Sequence, residues 1–382
     1  MSDEAAIGLR PVALPSVAIR SAAPRLQSLE MLRGVAALLV VLFHTQSIFG
    51  RRTTLDVFGG AFANGNRGVD LFFVLSGFVI TYVHRCDWDQ PARLGSYAFN
   101  RVTRIYPAAC IMTAVAIATF LLGSALGVEF GLHSAEQEAG RLDAWNILAS
   151  LLLLPQQGIP IVNVTWTLKY EMVFYLVFSL LLIDRRFLAA IILWQGAVLA
   201  CLLGGVDFGE SWLRYFLGPM CLEFAIGMGC AVLVMQRAAL PGSARRAVPA
   251  AMLALGLALF LGAAVFETYW LPVTPVPDVM LYGGGAGLIV TALALLELSG
   301  RLRPAEFLVS LGGSSYAIYL VHFSVITLVS GVLVRRHLIP VNTAVILAVA
   351  LFGVLAGIGF DRLVDRPIQR ALRRLRPKRR EL

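Results

Sequence analysis

Six ionisable side chains stand inside stretches that are otherwise apolar: Arg33, His44, Lys169, Glu171, Glu223 and His322. A charge placed in hydrocarbon costs at least ~2.5–3.5 kcal/mol, so such residues default to function. Arg33 and His44 share the run SLEMLRGVAALLVVLFHTQ. The eleven-residue step from one to the other makes close to three helical turns and about 16 Å of length, so both side chains fall near one face at two depths. A guanidinium at one end and an imidazole further along form the two ends of a track. The plainer alternatives are a snorkelling Arg33 and a His44 that is hydrogen-bonded only for packing. Glu171 follows Trp166 by five residues in NVTWTLKYEMVFYL, and depth-matching sets it beside His44. A carboxylate there would fix the tautomer of a neutral histidine and raise its basicity, as a general base requires. His322, in GGSSYAIYLVHF, falls at comparable depth. Trp166 and Tyr170 suit either such a site or an aromatic belt at the membrane interface.

Arg101 and Arg104, three apart in SYAFNRVTRIYP, share a helical face. Two adjacent guanidiniums suit a phosphate or pyrophosphate, each binding it bidentately; the alternative is ordinary loop charge. Asp70 opens the run RGVDLFFVLSGFVI, and Ser76-Gly77 within it makes a small polar notch for close helix approach. The five histidines (44, 84, 133, 322 and 337) show no metal-ligand spacing, and there is no G-x-S-x-G elbow. No metal is expected.

The elements that must position these residues follow from composition. Of 382 residues, 58% are apolar and 14% charged, against roughly 25% charged in soluble domains. Soluble, disordered and disulfide-framework classes are excluded. Ten apolar runs are long enough to cross a bilayer: roughly 29–49, 68–84, 103–125, 165–183, 187–204, 212–235, 246–266, 279–298, 306–334 and 341–360. They lack period-2 alternation, which makes the expected fold all-α, a polytopic integral membrane protein of about ten helices. An eleventh run, 143–154, is too short to cross and reads as interfacial or re-entrant. With both termini cytoplasmic, the Lys and Arg residues divide 24 inside against 7 outside, Lys169 lying in the membrane. The net charge of +9 is then topology and contact with anionic lipid rather than nucleic-acid binding. Residues 1–27 read as a cytoplasmic segment and not a cleaved signal, 28–366 as the transmembrane domain and 367–382 as a basic cytoplasmic tail. Of the cysteines, Cys86 falls in an inner loop and Cys110, Cys201, Cys221 and Cys230 in spans, so no disulfide is implied.

Taken together these segments resemble the membrane acyltransferase 3 family, whose members decorate bacterial cell-surface glycans. The resemblance covers about 28–366. It rests on Arg33-x10-His44, Gly68-Val69-Asp70-Leu71-Phe72-Phe73-Val74-Leu75-Ser76-Gly77-Phe78, Arg101 and Arg104 with Ile105 and Pro107, Trp166-Thr167-Leu168 with Glu171 and Tyr175, and Ser315-Tyr316-Ala317-Ile318-Tyr319-Leu320-Val321-His322. Within the family the chain looks most like the exopolysaccharide acetyltransferases of the succinoglycan type.

The resemblance implies an acyl-CoA donor, usually acetyl-CoA, arriving from the cytoplasm. The implied acceptor is a hydroxyl of a polymeric or lipid-linked sugar. It marks His44 and Arg33 as essential, Arg101 and Arg104 as the inner basic motif, and Glu171 as the acidic position after the tryptophan. Asp70, Ser76, Trp166, Tyr170, Tyr316 and His322 become substrate-binding or supporting residues. The inner membrane of a bacterium is the implied location, and acceptor handling falls to the membrane domain itself. Two roles stay open for His44: general base on the sugar hydroxyl, or acceptor of the acyl group. The rival reading is a proton-coupled transporter or flippase of a glycan or glycolipid, with the buried acids and histidines as a relay; a purely structural scaffold leaves those charges unexplained. The segment 126–142, with Glu129, His133, Glu136 and Glu138, is a candidate acceptor surface. Oligomeric state is not legible in the sequence.

Overall fold

The computed structural model describes residues 24–55, 57–125, 141–236, 244–270, 275–335 and 340–375. Most of the candidate acceptor surface, 126–140, lies outside them. The described residues form helices and no strand. In chain order the helices are α1 Gln27–Arg52, α2 Gly68–Val83, α3 Leu94–Ala125, α4 Ala144–Leu151, α5 Trp166–Ile183, α6 Phe187–Leu203 and α7 Met220–Met235. There follow α8 Ala244–Tyr269, α9 Gly284–Leu298, α10 Glu306–Gly313, α11 Ser315–Arg335, α12 Thr343–Phe360 and α13 Arg366–Arg374. Among the described residues, nine helical segments are long and apolar enough to cross a membrane. The fifth expected span, α6, is apolar but only 17 residues long. At 1.5 Å per residue it reaches about 26 Å, the lower limit for a crossing.

Two expectations change on physical grounds. The run 306–334 is not one helix: it breaks at Ser314 between α10 and α11. Gly312 lies against the Glu30 carbonyl so closely that a Cβ would overlap it, and the Ser314 hydroxyl donates to Asp361 Oδ2 at 2.6 Å. The short run 143–154 forms α4, eight residues capped by the Asp143 carboxylate. The chain then reverses at Leu153 (φ 52°) and Gly158 (φ 77°) and returns to α5. Its tip sits deep: Tyr106 donates to the Leu152 carbonyl at 2.9 Å, and Cys110 lies 3.6 Å from the Leu151 carbonyl. Both partners are well inside α3, so the segment is re-entrant, and α5 begins within the bundle rather than at its surface.

Close approach of backbones sets the packing. Gly77 of α2 and Gly227 of α7 face one another, each where a Cβ would overlap the other helix's backbone carbonyl. Van der Waals contact of this kind drives helix association in lipid. Gly34 and Gly312 do the same for α1 and α10, which fixes Arg33 beside the α10–α11 break. The Ser76-Gly77 notch therefore divides, Gly77 facing α7 and Ser76 facing α5. Gly77→Val should lower stability by at least about 1–3 kcal/mol. Gly50→Ala, where no atom lies within 4 Å of the new carbon, should leave it unchanged or slightly higher; thermal melts in detergent compare the two.

Candidate active site

α1 and α11 bring His44 and His322 together, with Nδ1 of His44 3.0 Å from Nε2 of His322. His322 is fully buried, and its Nδ1 lies 2.9 Å from the Ile318 carbonyl. A carbonyl only accepts, so Nδ1 of His322 carries the proton and Nε2 carries the lone pair. That lone pair accepts from Nδ1–H of His44, so in the neutral ring the free lone pair of His44 is on Nε2. The assignment is by elimination from the hydrogen-bond partners. Phe43 and Phe323 pack edge-on to the His44 ring, each at 5.0 Å. The pair thus presents a neutral imidazole with one free basic nitrogen in apolar surroundings.

Glu171 is not its neighbour. Its carboxylate accepts from the Tyr175 hydroxyl and from Ser76 Oγ at 3.3 Å. The depth-matching fails because α5 starts inside the bundle. The Tyr319 hydroxyl donates to the Val164 carbonyl at 3.1 Å and lies 2.9 Å from Thr167 Oγ1, which levels the start of α5 with the second turn of α11. Glu171 is four residues beyond Thr167 in one direction, and His322 is three beyond Tyr319 in the other. The two are about 10 Å apart along the helix axes.

Between them and the N-terminal end of α1 runs a passage. Its inner part is lined by Arg33, Phe72, Ser76, Thr167, Glu171 and Tyr319. The next part shares Arg33, Ser76 and Glu171 and adds Arg101, Arg104 and Tyr175. Tyr316 lines both; it donates to the Ile105 carbonyl at 2.7 Å and lies under Arg104, 5.2 Å from ring centre to guanidinium. Beyond Arg33 and Arg104 the passage opens into a cleft of about 540 Å³. Arg33 lines all three parts and has no ion pair among the described residues, its buried Nε lacking a hydrogen-bond partner. Arg101 thus lines the same passage as Arg33 and Arg104.

What the sequence reading missed is the support of Arg101. Its guanidinium lies 3.3 Å from Nε2 of His84 and over the rings of Tyr97 and Tyr175. His84 in turn directs Nδ1 to Asp87 at 2.9 Å. Only the i,i+3 spacing of His84 and Asp87 was visible in the chain. The remaining expected residues sit elsewhere. Asp70 belongs to a separate polar cluster in which Arg67 bridges Glu267 at 3.1 Å and Asp278 at 2.8 Å, joining α2 to α8 and the segment before α9. Trp166 and Tyr170 pack on each other, and Tyr170 on Phe73 and Tyr215. Tyr170 is buried, so it is core and not an interfacial belt. Among the described residues no three His, Cys, Asp or Glu gather where a metal could sit.

The paired histidines thus lie one layer of side chains beyond an arginine-lined passage through a helical bundle. Residues 26–360 match the family described as an acyltransferase domain, and the chain belongs to that family as a multi-pass membrane protein. It is similar to the exopolysaccharide production protein ExoZ of Rhizobium meliloti, 29% identical, covering 86% of this chain and 95% of that protein. It is equally similar to the acyltransferase MdmB of Streptomyces mycarofaciens, 29% identical over 92% and 94%. The peptidoglycan O-acetyltransferase OatA of Listeria monocytogenes is 25% identical over 90% of this chain and 56% of its own length. No solved structure matches the chain.

Burial holds the His84 ring below the ordinary value of 6.5, with Asp87 opposing and Arg101 adding to the effect. A lowered histidine stabilises the fold fully above 6.5, and that stability is lost as pH falls through the folded value. Between pH 6.5 and about pH 5, wild type should lose roughly 2–4 °C more in melting temperature than His84→Gln.

Proposed function

We propose that this chain is an acetyl-CoA-dependent O-acetyltransferase of a bacterial inner membrane. In this reading it moves an acyl group, acetyl above all, to a hydroxyl of an exported or cell-surface polysaccharide or its lipid-linked precursor. The observation that carries the reading is the free Nε2 of His44 standing beyond an arginine-rimmed passage. The relatives' names, an exopolysaccharide production protein and an O-acetyltransferase among them, point to the acceptor class. The excess of Lys and Arg at the α1 N-terminal end sets that end, and both termini, in the cytoplasm.

The donor's phosphates meet Arg33, Arg101 and Arg104, and the pantetheine arm lies along the passage beside Ser76 and Glu171. Glu171, held by Tyr175 and Ser76, orients the arm's amides; it does not serve as the partner of His44. Tyr319 forms the last layer before the histidines, and its rotation admits the thioester. The acceptor hydroxyl gives its proton to Nε2 of His44 as its oxygen attacks the thioester carbon. The C–O bond forms, the C–S bond breaks, and the thiolate takes the proton back from His44 to leave as CoA thiol. His322 stabilises the transient imidazolium through Nδ1–H of His44. The transporter reading has no comparable support, since the family is one of acyltransferases.

Membrane vesicles given labelled acetyl-CoA should pass label into a glycan fraction. His44→Ala should lower turnover about 10²–10⁴-fold. His322→Leu removes the Nε2 acceptor of the Nδ1–H of His44, a hydrogen bond worth about 1 kcal/mol, and should lower kcat while donor KM stays near wild type. Transfer that survives in His44→Ala would refute the assigned base, and wild type that consumes no acyl-CoA would refute the activity.

A further inference from the structure

The outer cleft is built as a binding site, and its lining reaches beyond the arginines assigned so far. It is walled by Arg25, Arg33, Arg104, Arg366, Arg370 and Arg373, with Glu30, Asp361 and Asp365 among them. Three of the six cations are neutralised locally: Arg25 by Glu30 at 3.4 Å, Arg104 by Asp365 at 3.6 Å and Arg366 by Asp361 at 2.8 Å. Arg33, Arg370 and Arg373 have no ion-pair partner among the described residues, so the cleft keeps a surplus of positive charge. Arg366, Arg370 and Arg373 are spaced i, i+4, i+7 on α13 and share the face that lines the cleft. α13 is locked in place: Gln369 Nε2 donates to the Thr103 carbonyl of α3 at 2.6 Å and lies 3.3 Å from Asp365. The five-residue turn Asp361–Asp365, which is π-helical, sets this face toward Arg33. Turns of that type recur at functional sites. Charge serving only to anchor the tail would use every basic residue alike, yet Arg362 and Arg374 do not line the cleft.

We propose that Arg370 and Arg373 bind a phosphate monoester, the 3′-phosphate at the nucleotide end of the acyl-CoA donor, while Arg33 and Arg104 take the pyrophosphate further in. This rests on the acyl-CoA reading above. A phosphate monoester carries roughly −1.5 to −2 charge near neutral pH, which suits two unpaired guanidiniums. An anionic lipid headgroup offers the same chemistry, so the test must separate the two sources.

Acetyl-CoA and acetyl-3′-dephospho-CoA are compared as donors for the purified protein in nanodiscs. Wild type should show a KM about tenfold higher for the dephospho donor. Arg370→Gln with Arg373→Gln should raise KM for acetyl-CoA by a similar factor, leave kcat unchanged, and abolish the difference between donors. Arg362→Gln with Arg374→Gln should change neither value. Equal KM values for the two donors in wild type would overturn the proposal while leaving the transferase activity standing. So would a double variant whose only change is weaker binding to phosphatidic acid vesicles, since the ligand would then be lipid. Consumption of neither donor would overturn this proposal and the acyl-CoA reading together, and is told apart by the absence of any turnover.

Discussion

The hydrogen bond between His44 and His322 joins residues 278 positions apart and closes the first helix onto the eleventh. Neither ring can be placed without the other. His322 owes its tautomer to the Ile318 carbonyl one turn earlier on its own helix, so the state of His44 is set by backbone geometry it never touches. That dependence explains why α1 is held so tightly: Gly34 and Gly312 seat it against α10, and α10 leads straight into α11. A shift of α1 by one residue would rotate His44 by about 100° away from its partner and take Arg33 with it.

Hydrocarbon imposes the second constraint, since buried polar groups must find partners inside the chain. Among the described residues two groups of them stand out. One is the passage from Arg33 to the histidines. The other gathers Arg67, Asp70, Glu223, Glu267 and Asp278 at the junction of α2, α7, α8 and the start of α9. It lines no part of the passage and serves to tie helices together, with Tyr282 stacked under the Arg67 guanidinium at 4.2 Å and donating to Glu267. Asp70, expected as a substrate-binding or supporting residue, stands in this group.

Much of the fold was legible because bilayer thickness fixes helix length, and an apolar run of that length leaves few alternatives. His44, Arg33, Arg101 and Arg104 were legible for a related reason, being charged or ionisable where such groups are costly or paired on one face. What failed had separate causes. Depth was counted from the membrane surface, but the re-entrant segment around Leu152 moves the start of α5 inward, so Glu171 met Tyr175 and Ser76 instead of His44. The break at Ser314 was hidden because glycine and serine in an apolar run read as packing residues. His84 was passed over for lack of any local signal, its partner Arg101 coming from another part of the chain; the α13 arginines read as tail charge, because the contact that seats their helix, Gln369 on the Thr103 carbonyl, is distant in sequence.

One layer of side chains, Phe72, Thr167 and Tyr319, closes the inner end of the passage, and Tyr319 rests its ring against that of His322. The Tyr319 hydroxyl, anchored at the Val164 carbonyl and beside Thr167 Oγ1, holds that ring across the end of the arginine-lined passage. A two-point tether on one tyrosine thus works as a plug between a cationic channel and a fully buried imidazole.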